Sequence, residues 1–91
     1  MNANVKDDIV KRFIGRVKEE FADVDTYNSL YEYLMSNGLH GEACEIERIA
    51  RDEYHHAMIL TNMLEDYGYD VSADQEIMSH WSKAKRAFGI T

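Results

Sequence analysis

The stretch DEYHHAM, residues 52–58, contains a Glu-x-x-His pair, Glu53 and His56, within a long segment of helical periodicity. Residues three positions apart share one face of an α-helix. The apolar residues around the pair fall on that same face: Ile46, Ile49, Ala50, Ala57, Leu60, Met63, Leu64 and Tyr67. A carboxylate and an imidazole are therefore predicted in the middle of the face that this helix buries. Because an unpaired buried carboxylate costs several kcal/mol, a metal ion is the leading candidate for its partner.

The composition limits the kind of protein that this chain can be. Its 91 residues suit a single domain, 1–91, with a small core that would gain stability from oligomerisation. The net charge of −7 argues against nucleic acid and anionic membranes as partners and favours cations. The single cysteine, Cys44, excludes an internal disulfide and suits a reducing compartment. Without an apolar run long enough for a signal peptide or a transmembrane helix, a cytoplasmic protein with no membrane partner is expected.

Apolar periodicity predicts three helices, at about residues 4–36, 41–67 and 73–88. Asn37-Gly38 marks a short turn between the first two, which should therefore be antiparallel neighbours. The predicted fold class is all-α, a long antiparallel helical hairpin followed by a short C-terminal helix.

The C-terminal helix has a recognisable start and one apolar face. Ser72 and Gln75 resemble a capping box. The apolar face that follows consists of Ile77, Trp81, Ala84 and Phe88. His80 is placed off that face, in solvent or at a contact between subunits.

The first helix supplies a second buried carboxylate. Glu20 falls on its apolar stripe, between Val17 and Val24. Glu20 lies about 17 residues before the centre of the turn and Glu53 about 15 after it, so the two match in height to within about one helical turn. Pairing two hairpins as a homodimer would form a four-helix bundle with four carboxylates and two imidazoles in its core. That ligand set is typical of di-iron and di-manganese bundle proteins.

Residues 19–27, EEFADVDTY, together with residues 52–58 resemble the ferritin-like superfamily. Two-helix encapsulated ferritins are the most similar, followed by rubrerythrin-type half-bundles, over about residues 5–68. The resemblance implies a homodimer that closes a ferritin-like four-helix bundle around one site with two iron ions. It implies a ferroxidase that converts Fe(II) to Fe(III), in iron storage or protection from oxidative stress. Glu20 would be a bridging or terminal ligand, Glu53 the bridging carboxylate and His56 the terminal imidazole.

Three accessory residues and a larger assembly are also expected, Tyr27 and the assembly from the resemblance and the two aspartates from their positions on the helix flanks. Tyr27 matches a tyrosine near the metal in that family. Asp23 is a candidate to touch or guide the ion, and Asp52 to orient an imidazole. The family assembles as dimers or rings of dimers that store mineral inside a protein shell. Residues 87–91 are only weakly similar to a shell-targeting tail.

Two alternatives remain open at this point. In the first, the chain is a non-enzymatic helical dimerisation or adaptor protein, whose buried polar residues set register and partner choice. In the second, manganese or zinc serves as a structural ion without redox turnover, since these ligand types suit several metals.

Overall fold

The computed structural model describes residues 2–90 and is helical almost throughout. It contains α1 (Ala3–Ser36), α2 (His40–Asp66) and α3 (Gln75–Ala87), with a 3-10 turn at Val71–Ala73. No strand occurs in that range, so the predicted all-α class and the three helices are confirmed. None of the helices in this range combines the length and the apolar character needed to cross a bilayer.

The two long helices form a hairpin joined by a short turn. Gly38 has a φ of +73°, a left-handed conformation that glycine adopts without steric penalty, and α2 begins two residues later. Along α2, the fully buried residues recur at heptad spacing: Ala43, Ala50, Ala57 and Leu64. Of these, Ala57 and Leu64 belong to the same core cluster as Val17, Phe21 and Val24 of α1.

α3 closes one side of this hairpin. Ile77 and Ala84 are buried in the same core as Phe21. The indole Nε1 of Trp81 donates a hydrogen bond to the Tyr54 hydroxyl at 2.9 Å. The third helix therefore leaves the opposite side of the hairpin uncovered.

Two expectations about α3 are wrong. Its N-cap is Asp74, whose carboxylate accepts hydrogen bonds from the Ile77 backbone N–H at 3.0 Å and from the Tyr69 hydroxyl at 2.7 Å. Ser72 instead belongs to the 3-10 turn, where its hydroxyl donates a hydrogen bond to Asp70. His80 does not lie off the packing face: its ring stacks on Phe21, with centroids 5.9 Å apart and planes at 7°.

Candidate metal centre

Glu20 is a charged side chain inside the core of the hairpin. It lies in α1 among Val17, Phe21 and Val24, and only 7% of its side chain is exposed. One carboxylate oxygen, Oε1, accepts a hydrogen bond from Arg16. The other, Oε2, is buried without a hydrogen-bond partner. Because such an atom is rarely left without a donor, Oε2 is the strongest local indication of a missing partner.

α2 brings Glu53 and His56 to the same place. The imidazole Nδ1 lies 3.8 Å from Glu20 Oε2 and 3.7 Å from Glu53 Oε1. One candidate ligand atom from each of the three residues lies within 4.8 Å of the others. The matching heights of Glu20 and Glu53, expected from the length of the hairpin, are what make this convergence possible.

The local electrostatics favour a positive charge at this point. The pKa of Glu53 is raised from 4.5 to about 7, first because its neutral form could donate a hydrogen bond to the neighbouring Glu20 carboxylate, then through burial. The negative charges of Glu20 and Asp23 raise it further. A bound cation would offset both negative charges, so that neither carboxylate would need to hold a proton.

The donor set fits a transition-metal ion. Two carboxylates and an imidazole are ligands that iron, manganese and zinc accept. Glu20, Glu53 and His56 would hold the ion, with three protein donors from one chain. Since 53% of the His56 side chain is exposed, the site opens toward solvent on the side away from α3.

The three accessory candidates lie around the cluster and not within it. Asp23 is exposed on α1, yet it is close enough to Glu53 to contribute to its raised pKa. Tyr27 is half-buried one turn further along the same helix. Asp52 is exposed on α2, and neither aspartate belongs to the group of converging ligand atoms in residues 2–90.

An apolar surface surrounds the cluster on the uncovered side of the hairpin. Its residues recur at alternating three- and four-residue spacings, and all are half-buried or exposed: Tyr27, Leu30 and Leu34 of α1, with Ile46, Ile49, Leu60 and Met63 of α2. We call this surface the open face. The apolar stripe predicted for α2 is thus only partly buried within one chain. Ala50, Ala57 and Leu64 face the core, whereas Ile49 and Met63 are 39% and 40% exposed.

Arg16 also lies at this site, although the sequence analysis did not predict it there. Its guanidinium donates to Glu20 and also to Glu19. Spacings of four and three residues place both carboxylates within reach of an arginine on the same helix, and that local rule was the available signal.

Comparisons of the chain with protein-family profiles, with curated proteins and with solved structures find no match.

Proposed function

We propose that this chain is a ferroxidase-type di-iron protein of the ferritin-like kind, with its site shared between two subunits. The observation that carries the proposal is the convergence of Glu20, Glu53 and His56, with Glu20 Oε2 buried and without a hydrogen-bond partner. Glu20, Glu53 and His56 would hold the Fe(II) substrate, and two Fe(II) would supply the two electrons that, with two protons, reduce dioxygen to hydrogen peroxide or hydrogen peroxide to water. The carboxylates would offset the charge of both ions, and the imidazoles would complete their coordination.

The open face supports the shared site. Glu53 and His56 continue the same alternating spacing as Ile46, Ile49, Leu60 and Met63, which is the pattern of a helix seam in a bundle. A second copy packed on this face with two-fold symmetry would cover the exposed apolar side chains and bring two ligand sets together. The resulting four carboxylates and two imidazoles are the set that ferritin-like bundles use.

Iron uptake and oxidation test the proposed chemistry. Native mass spectrometry after anaerobic addition of Fe(II) should show a dimer, or a ring of dimers, with two irons per pair of subunits. Glu53→Ala and His56→Ala should abolish Fe(II) oxidation while circular dichroism shows the helices retained. His55→Ala is the matched control, because His55 is an exposed neighbour on the same helix and should leave oxidation unchanged. Retained oxidation in both site variants would overturn the proposal.

A charge on the open face tests the dimer separately. Ile49→Lys places an ammonium group in the proposed seam and should shift the protein to monomers in analytical ultracentrifugation. Ile90→Lys is the control. Ile90 is 40% exposed and Ile49 is 39% exposed, but Ile90 follows α3 on the other side of the hairpin. Equal dimer populations in the two variants would argue against the seam.

The ion pair between Arg16 and Glu20 favours a second candidate, a non-enzymatic helical dimerisation protein. Arg16 already balances the Glu20 charge without any metal, so the polar cluster can also serve as a register-setting core. This candidate predicts no stoichiometric metal and no loss of stability in chelator. Replacing Glu20 and Glu53 together by leucine would then stabilise the dimer.

A further inference from the structure

Arg16 makes the two oxygens of the Glu20 carboxylate inequivalent. Its Nη2 donates to Glu20 Oε1 at 2.5 Å, whereas Oε2 has no donor and lies 3.8 Å from His56 Nδ1. The arginine side chain is 52% exposed, so it reaches from solvent onto a carboxylate that is almost fully buried. The two oxygens of Glu20 therefore occupy different chemical environments.

We propose that Arg16 is a positioning residue that reserves Glu20 Oε1, leaves Oε2 as the metal-binding oxygen, and weakens divalent-cation binding at the site. The inference rests on the proposed metal function and adds to it a determinant of affinity and coordination mode. A guanidinium bonded to one oxygen blocks binding of a cation by both oxygens of the same carboxylate. Glu19, which also accepts from Arg16, keeps the guanidinium at this position.

The charge of Arg16 opposes the charge of the ion. At a separation of roughly 6 Å and a dielectric constant near that of water, repulsion between a guanidinium and a divalent ion corresponds to about a tenfold change in Kd. The high dielectric constant is appropriate because half of the Arg16 side chain is in solvent. Arg16 would thus keep the ion exchangeable, as turnover of iron requires.

Titration with Co²⁺, followed by its visible absorption, measures the effect directly. Arg16→Gln should bind Co²⁺ about tenfold more tightly than the wild type. Arg12→Gln is the matched control: Arg12 lies one turn earlier on α1, pairs with Asp8 at 2.8 Å and carries the same charge. Its replacement should change the affinity less than about twofold, because exposed and distant charges are screened by salt.

A second variant separates charge from geometry. Arg16→Lys keeps the positive charge but lacks the planar guanidinium, whose two terminal nitrogens donate separately to Glu19 and Glu20. Its affinity for Co²⁺ should stay near that of the wild type. In the Co²⁺-bound proteins, the infrared splitting of the carboxylate stretches should indicate one-oxygen binding in the wild type and a shift toward two-oxygen binding in Arg16→Gln.

The outcomes distinguish this inference from the proposed function. If the wild type binds Co²⁺ and Arg16→Gln binds no more tightly than Arg12→Gln, the role of Arg16 is wrong and the metal site stands. If Arg16→Gln binds Co²⁺ and the wild type does not, the result supports the inference that Arg16 opposes cation binding at Glu20. If neither protein binds Co²⁺, the metal function fails and the role of Arg16 fails with it.

Discussion

Replacing Glu53 by glutamine should remove most of the pH dependence of stability of the metal-free protein between about pH 5 and pH 8. The Glu53 side chain is 21% exposed, and its pKa rises from 4.5 to about 7 on folding. Between these two values the folded protein holds a proton that the unfolded chain has released. The contribution of Glu53 to the free energy of unfolding is therefore fully present below about pH 4.5 and is lost as the pH rises through about 7.

The magnitude follows from the pKa shift. A rise from 4.5 to about 7 corresponds to at most about 3 kcal/mol of unfolding free energy. Solvent screening of the partly exposed side chain reduces the expected loss to about 2 kcal/mol. Glutamine keeps the shape of the neutral acid and can still donate a hydrogen bond to Glu20. The variant should therefore match the wild type at pH 5 and exceed its stability at pH 8.

Urea unfolding in the presence of a chelator, followed by circular dichroism, provides the measurement. Protein concentration must be equal throughout, because the stability of the proposed dimer would depend on it. Glu65→Gln, at an exposed position near the end of α2, removes the same formal charge and serves as the control. If Glu53→Gln and Glu65→Gln lose stability equally between the two pH values, the coupling of Glu53 to Glu20 is refuted.

Four further substitutions test the architecture by thermal unfolding. Gly15→Ala should raise the free energy of unfolding by about 1 kcal/mol, because Gly15 lies in the exposed interior of a helix with no atom near the added methyl group. Gly68→Ala should lower it by about 1 kcal/mol, because Gly68 has a φ of +85°, which strains any residue with a side chain. Asp74→Ala should lower stability by about 1–2 kcal/mol through loss of the N-cap of α3. Trp81→Phe should cost about 1 kcal/mol by removing the donor to Tyr54, and an unchanged melting temperature would show that this hydrogen bond contributes nothing.

Predictions that depend on local rules succeed in this chain. The turn at Asn37-Gly38 stops α1 because glycine adopts the left-handed conformation there, and the three-helix pattern follows from apolar periodicity. The start of α3 shows where such rules end. Ser72 and Asp74 are both good N-cap residues, and Asp74 is the cap in the folded chain, where its carboxylate also accepts a hydrogen bond from Tyr69.

The candidate site likewise has features that the sequence predicted and features that it did not. Helical spacing and hairpin length were enough to place Glu20, Glu53 and His56 together, since rise per residue is nearly constant along a helix. The contact between Arg16 and Glu20 was accessible from their four-residue spacing, although the spacing does not say which carboxylate oxygen accepts. The stacking of His80 on Phe21 was not accessible, because it depends on how α3 packs against α1.

The sequence by itself determined the helices, the hairpin and the identity of the three converging residues, because these depend on short-range geometry. Only the tertiary structure decided which half of the α2 stripe is buried, since α3 covers one side of the hairpin and leaves the open face uncovered. Packing also decided that Glu20 Oε2 remains without a donor while Oε1 is bonded to Arg16. Those two facts depend on the position of α3 and on side-chain contacts within the folded hairpin, which spacing along the chain does not specify.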